Sequence, residues 1–543
     1  MGQQQAVISA TQLNQWLQDG NELAIVDARE EDTFATAHLL LASCLALSRL
    51  EQIAPRLLPR RNLRIVVCDA GGGLAQRAAQ RLCAAGYTDV SVLSGGIEAW
   101  RHAGFPIYSG VHVPSKAFAE YVEHEGGTPA VTPADLAVRI AASDDLVILD
   151  SRSYEEYHTN SIPGAVSVPG AELVYRFQGL VPSPETLVVV NCGGRTRSII
   201  GAQALISAGV PNRVCTLQNG TMGWHLGGYE VVRGATRKPP AVSPEQRATA
   251  RARAEQLAAV AGVTTIDAAT LRSFRQQAGE HTLHVLDVRD PDETGEIPGV
   301  VAVAGGQLIQ ETDNWIASRH ARIVLLDDAG VRSRITAWWL RQMGFPNVYV
   351  LDGDPAAAAG ETAGAPRSGD FPLAGPEPEP IAPQALAEQQ KTSPPVVIDV
   401  GLSKQHRSGH VPGAWHAIRA RLAANQAQLP EGATIVVTSE DGVLARFAAA
   451  ELAALTGRKV GFLQGGTRAW AAAGQPLERD MTRCLDDPDD VWYPPRERPG
   501  DRERWMNEYL AWEIDLVNQV RADDQFGFHL SLLRVAADAA ARH

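Results

Sequence analysis

The sequence predicts an α/β protein built from four tandem copies of one unit, each a mainly parallel sheet flanked by helices, with a C-terminal helical tail. Three observations carry this. An apolar strand ending in an acid occurs four times, as Val26-Asp27-Ala28-Arg29, Leu149-Asp150-Ser151-Arg152, Leu286-Asp287-Val288-Arg289 and Ile398-Asp399-Val400-Gly401. Each copy then gives a second apolar strand, a loop, a helical segment and a third strand that ends in a glycine turn. The strands are apolar throughout rather than alternating, which is the pattern of strands covered on both faces in a parallel sheet.

The elements follow in the same order in each copy. After the acid-ended strand comes a turn, Ile162-Pro163-Gly164-Ala165, Ile297-Pro298-Gly299-Val300 or Val411-Pro412-Gly413-Ala414; the first copy keeps only the degenerate His38-Leu39-Leu40-Leu41-Ala42. The second strands are Ile65-Val66-Val67-Cys68, Val188-Val189-Val190-Asn191, Ile323-Val324-Leu325-Leu326 and Ile435-Val436-Val437-Thr438. The closing turns are Ser94-Gly95-Gly96 before Trp100, Gln218-Asn219-Gly220 before Trp224, Asp352-Gly353, and Gln464-Gly465-Gly466 before Trp470. These spacings place the units at 6–110, 112–238, 245–372 and 378–480, with a helical extension over 481–543. Lys238-Pro239-Pro240 precedes a helix expected to be capped by Ser243 with Pro244 at its first position. The stretch 354–380, rich in Ala, Gly, Pro and Glu, reads as a loose linker. In the tail, Trp505, Tyr509, Trp512, Leu516 and Val520 share one helix face. Packing on the body is the expected use of that face, and a homodimer contact the alternative.

Composition excludes several classes. A chain of 543 residues with 45% hydrophobic and 20% charged residues is ordinary globular protein, too long for one core. The net charge of −13 and the lack of a basic stripe interleaved with aromatics argue against nucleic acid as a partner, and Arg247, Arg251 and Arg253 read as a solvated helix face. The N-terminus has neither the basic nor the apolar region of a signal peptide, and no apolar run is long enough to span a membrane. Six cysteines show no disulfide framework, no C-x-x-C and no zinc spacing, so no metal or cofactor is expected and the setting reads as a reducing cytoplasm.

The chemistry concentrates in Asn191-Cys192-Gly193-Gly194-Arg195-Thr196-Arg197-Ser198. A strand delivers a thiol to a tight loop at the start of a helix, where backbone N–H groups lack intrahelical partners and the dipole favours negative charge. Arg195 and Arg197 add positive charge, so the thiol pKa is expected to fall and the loop to hold an anion. A cysteine buried merely as a small apolar residue needs neither two arginines nor a glycine pair. Cys192 is thus the expected nucleophile. Gly193, Gly194, Arg195, Thr196, Arg197 and Ser198 are the expected substrate-binding residues, with Asp150 and Arg152 in support.

The strand-Asp-x-Arg element, the Ile-Pro-Gly-Ala turn, the cysteine loop and the Gly-Gly-x-x-x-Trp element together resemble the rhodanese family of sulfurtransferases, over about residues 6–480. The resemblance is to the bacterial four-domain thiosulfate sulfurtransferases. It implies a persulfide mechanism, in which Cys192 takes a sulfane sulfur from a small-molecule donor such as thiosulfate and passes it to cyanide or a thiol. Aligned loops put Asp69, Cys192, Asp327 and Ser439 at the nucleophile position, so only the second unit is expected to act; an aspartate or a serine cannot form a persulfide. Cys68 lies one residue too early on its strand. Asn160-Ser161 and the loop Cys-Gly-Gly-Arg-Thr-Arg depart from the family's common pattern, which leaves the donor open. Two other readings stand beside this one. One is a persulfide carrier or interaction scaffold without turnover. The other is a cysteine phosphatase, disfavoured because its arginine stands six residues after the cysteine, where this chain has Ser198.

Overall fold

The computed structural model describes residues 5–432 and 434–530. The sequence expectations for residues 1–4 and for the tail beyond 530 lie outside the described residues. Twenty strands form four five-stranded sheets. β1 (Ala6–Ile8), β2 (Leu23–Asp27), β3 (Ala42–Cys44), β4 (Arg64–Cys68) and β5 (Val90–Leu93) make the first. β6 (Ala130–Val131), β7 (Leu146–Asp150), β8 (Val166–Ser167), β9 (Leu187–Asn191) and β10 (Val214–Leu217) make the second. The third holds β11 (Thr264–Ile266), β12 (Leu283–Asp287), β13 (Val301–Ala302), β14 (Arg322–Leu326) and β15 (Val348–Leu351). The fourth holds β16 (Glu379–Ile381), β17 (Val396–Asp399), β18 (Trp415–His416), β19 (Thr434–Thr438) and β20 (Lys459–Leu463).

The order within each sheet is the same, β1-β5-β4-β2-β3 and its three equivalents. In the second sheet every pairing is parallel, and β7 registers against β9 with Asp150 opposite Asn191. The acid-ended strand and the loop-bearing strand are therefore neighbours, and both end at the carboxyl edge, where ligand sites of parallel sheets form. Helices cover both faces, which is why Val188, Val189 and Val190 on consecutive positions are all buried. Between repeats two and three, the helix Pro244–Val260 starts at Ser243 with a capping box and Pro244 in its first turn.

The repeats associate out of sequence order. One compact unit comprises residues up to 19, 24–111 and 366–493, and so joins repeats one and four. The other comprises 20–23, 112–365 and 494 onward, and joins repeats two and three with the C-terminal helix. In the second unit a single apolar cluster runs through both repeats, with Phe118, Leu173, Ile199, Trp338 and Trp339 among its members. In the first, Arg419 bridges Glu51 and Glu451 at 2.5 and 2.6 Å. In the second, Arg332 of repeat three bridges Glu172 of repeat two at 2.9 Å and Glu293 at 2.5 Å. No helix among the described residues is long and apolar enough to cross a membrane.

Arg332 is 0% exposed, and removing it leaves the buried Glu172 carboxylate with Arg176 alone, at 2.7 Å. A hydrogen bond to a charged group contributes about 1.5–3 kcal/mol. Arg332→Ala should lower the unfolding free energy of the second unit by that order in urea titration. A change within error of zero would show that the bridge contributes nothing to the joining of repeats two and three.

Candidate active site around Cys192

Cys192 follows the last residue of β9 and precedes the helix Thr196–Ser207, called here the loop helix. The helix Gly220–Leu226, entered through the turn at Asn219, holds the loop from outside. The Thr221 N–H donates to the Cys192 carbonyl at 2.9 Å and the Met222 N–H to the Gly193 carbonyl at 3.1 Å. Gly220 has φ +55°, and a Cβ there would stand 2.3 Å from the Cys192 carbonyl oxygen. Only glycine permits that approach. The same close approach recurs at Gly96 against Asp69 and at Gly466 against Ser439, which explains the glycine turns read from the sequence.

The thiol is 2% exposed. It donates to Ser198 Oγ at 3.3 Å, and Ser198 Oγ donates in turn to the Arg195 carbonyl at 2.9 Å. Burial pushes the Cys192 thiol above its ordinary range; Arg197 and the Ser198 hydroxyl and N–H pull it down, and Glu513 pushes it up again. The lowered pKa expected from the sequence is therefore not found. Desolvation outweighs the loop's positive charge because both arginines are already paired. Arg197 meets Glu156 through two contacts, at 2.5 and 2.9 Å. Burial pushes Glu156 up, but Arg197, with Arg152 and Arg496, holds its carboxyl down at about 2. Arg195 turns away from the sulfur. It donates to both Glu120 oxygens at 2.7 Å, to Glu123 and to Asn219. Arg195 thus orders the loop against the helix Val113–Gly126, the linker helix.

The supporting pair is brought to the same place. Arg152 forks onto Asp150 at 2.8 and 2.6 Å and donates to the Asn160 carbonyl at 2.6 Å, while Asn191 Nδ2 donates to Asp150 at 3.1 Å. The Asn160 that departs from the family pattern is thereby an acceptor for Arg152. Arg152 and Arg197 both come within 4 Å of the position a Cβ would take on Gly193. Gly193 and Arg197 are only half-buried, so they mark the open side of the loop. Thr196 Oγ1 donates to Glu513 Oε1 at 2.5 Å, and Gly194 lies under Met222, Glu513 and Tyr509.

The other three repeats show what replaces the sulfur. Asp69 accepts from the Gly71 and Ala75 N–H groups at 2.7 and 3.0 Å. Asp327 accepts from the Ser333 hydroxyl at 2.6 Å and from the Val331 and Arg332 N–H groups at 3.1 and 3.2 Å. Ser439 Oγ accepts from the Ala445 N–H at 3.2 Å. In all four repeats the residue at the nucleophile position reaches the residue six places on. In repeat four, where Gly401 replaces the arginine, His406 Nδ1 takes Asp399 at 2.8 Å instead.

Sequence reasoning missed Glu156, Glu120 and Glu513. Glu156 lay within reach of it, as an acid in the first turn of the helix after Asp-x-Arg. Glu120 on the linker helix and Glu513 on the C-terminal helix carry no local signal, whereas Tyr509, placed by its spacing on the packing face of the tail helix, lies over Gly194. Among the described residues, one group has metal-ligand chemistry, His410, Glu478 and Asp480 in repeat four. There Glu478 already takes the Gly413 N–H at 2.7 Å and the Arg483 guanidinium at 3.3 Å.

A parallel α/β unit with a cysteine loop at the strand edge, repeated in one order four times, defines the class. Residues 9–103, 132–226, 270–357 and 382–473 match the model of the Rhodanese-like domain. The chain belongs to the rhodanese-like family. A solved thiosulfate sulfurtransferase from Pseudomonas aeruginosa is 43% identical, over 96% of this chain and 99% of that one, with a TM-score of 0.90. A curated HTH-type transcriptional regulator of Mycobacterium tuberculosis is 32% identical over 111 residues, 20% of this chain and 48% of that protein. The chain thus spans about half the length of that relative.

Arg197 pulls the thiol down while Arg195 is taken up by Glu120, Glu123 and Asn219, a difference that alkylation tests. Rates of Cys192 alkylation against pH should rise later than for a free thiol. The midpoint should move further up in Arg197→Ala and stay in place in Arg195→Ala. Equal shifts in the two variants would contradict the assignment.

Proposed function

We propose that this protein is a sulfurtransferase that moves a sulfane sulfur from thiosulfate, or a donor of the same chemistry, to cyanide or a thiol through a persulfide on Cys192. The observation that carries the reading is the Cys192 loop, where a buried sulfur sits at the start of a helix with Arg197 and Ser198 on it. The sequence likeness to a thiosulfate sulfurtransferase supports the choice of donor. In the first step Cys192 Sγ, as thiolate, attacks the outer sulfur of the donor; a sulfur–sulfur bond forms, the donor's own breaks, and sulfite leaves with the electron pair. In the second the acceptor attacks the outer sulfur, and Cys192 recovers its electron pair. The loop N–H groups and Arg197 offset the negative charge that returns to Cys192 Sγ as the sulfur–sulfur bond breaks.

The burial of Cys192 favours small donors and acceptors over delivery to a protein partner, which weighs against a pure carrier. A phosphatase loop would need an arginine where Ser198 instead takes the thiol proton's hydrogen bond. We place the reaction in a reducing cytoplasm, since all six cysteines are unpaired.

Cys192→Ser should abolish thiosulfate:cyanide transfer with the unfolding midpoint unchanged. Asp327→Cys in that background should not restore it, because Asp328 and Glu293 hold Arg332 at that loop. Steady-state sulfite or thiocyanate release is the measurement. Activity near the native level in Cys192→Ser would refute the assignment.

A further inference from the structure

We infer that Glu513, carried by the C-terminal helix Arg502–Ala522, is the base that takes the proton of a thiol acceptor at the Cys192 loop. The inference deepens the sulfur-transfer reading and rests on it.

The C-terminal helix packs on the linker helix and buries Met506, Leu510, Glu513 and Leu516. Glu513 is 1% exposed. Its Oε1 is held by the Thr196 hydroxyl at 2.5 Å. Its Oε2 has no hydrogen-bond partner among the described residues. That oxygen lies 3.3 Å from where a Cβ on Gly194 would stand, so it faces the loop that carries the nucleophile. A buried carboxylate oxygen without a donor is costly to keep, and a ligand S–H supplies the missing donor. Thr196 fixes the carboxylate by one oxygen and leaves the other to work.

The groups around Glu513 set its proton affinity. The linker helix presents Lys116 and Glu120, the loop presents Arg195 and Cys192, and the C-terminal helix itself presents Tyr509. Burial pushes the Glu513 carboxyl up, while Lys116, the Thr196 hydroxyl and N–H, and Arg195 pull it back. Lys116 is itself pushed down to about 8 by burial. Its ammonium stands 5.4 Å from the centre of the Tyr509 ring and 5.2 Å from that of Trp512. A carboxylate that burial makes more basic than an exposed one takes a thiol proton more readily.

The step balances without an added reactant. The acceptor R–SH gives its proton to Glu513 Oε2. The thiolate attacks the outer sulfur of Cys192–S–SH, a new sulfur–sulfur bond forms and the old one breaks. The electron pair returns to Cys192 Sγ, which then recovers the proton from Glu513, leaving R–S–SH and Cys192–SH. Sulfite, which is mostly the dianion near pH 8, brings no such proton and does not need the base.

The test uses the full chain, with Cys192 loaded by thiosulfate and then mixed with dithiothreitol or with sulfite. In Glu513→Gln, which keeps the Thr196 contact, the ratio of thiol to sulfite discharge rates should fall about tenfold or more near pH 8. The deficit should close as pH rises through the acceptor's own ionisation. An unchanged ratio overturns the inference. In the native protein, discharge to the thiol should stay level between about pH 7 and 8. A tenfold climb per pH unit there, as free thiolate supply demands, overturns it too, whether or not the variant folds. If thiosulfate leaves Cys192 unloaded, the choice of donor fails on its own; loading with inorganic polysulfide then lets both arms be read as before.

Discussion

Everything in this structure turns on what fills the space at the start of the loop helix. Four strands deliver a residue to the same spot, and each time the chain must meet N–H groups that no helix carbonyl can reach. Repeats one and three meet them with the carboxylates of Asp69 and Asp327, and repeat four meets them with Ser439 Oγ. Repeat two alone puts a sulfur there. An oxygen makes a good cap and no persulfide. The three repeats without sulfur thus keep the hydrogen bonds that hold the loop together.

That solution also explains the charge arrangement at Cys192. A loop with two arginines suggests a strongly electropositive seat. The fold pairs each with acids from other elements, Arg197 with Glu156 and Arg195 with Glu120 and Glu123. The thiol is consequently governed by desolvation first and by Arg197 second. The open side at Gly193 and Arg197 and the covered side under the C-terminal helix give the loop two distinct faces.

Much of this was legible in the sequence, for local reasons. Consecutive apolar residues such as Val188, Val189 and Val190 announce buried parallel strands. The Asp150-x-Arg152 spacing puts acid and base on the same turn. The glycine at 220 marks a close backbone approach, and the glycines after Cys192 mark the tight loop before the helix. What stayed hidden depends on residues far apart in the chain. Nothing near Arg195 says that Glu120 claims it 75 residues away, and nothing near Thr196 points to Glu513, 317 residues on. The pairing of repeat one with four and two with three was equally invisible, because Glu51 with Arg419 and Glu172 with Arg332 become neighbours only after the sheets exist. The lowered thiol pKa was misjudged for the same reason, since charge was read without its partners.

The central claim is that one sulfur in four equivalent seats does the work. Intact-mass measurement of the full chain after brief exposure to thiosulfate tests it directly, with peptide mapping to locate the change. The account predicts a gain of one sulfur atom per chain, all of it on Cys192, released when cyanide is added. No gain, or sulfur on Cys68 or another of the remaining cysteines, would contradict it.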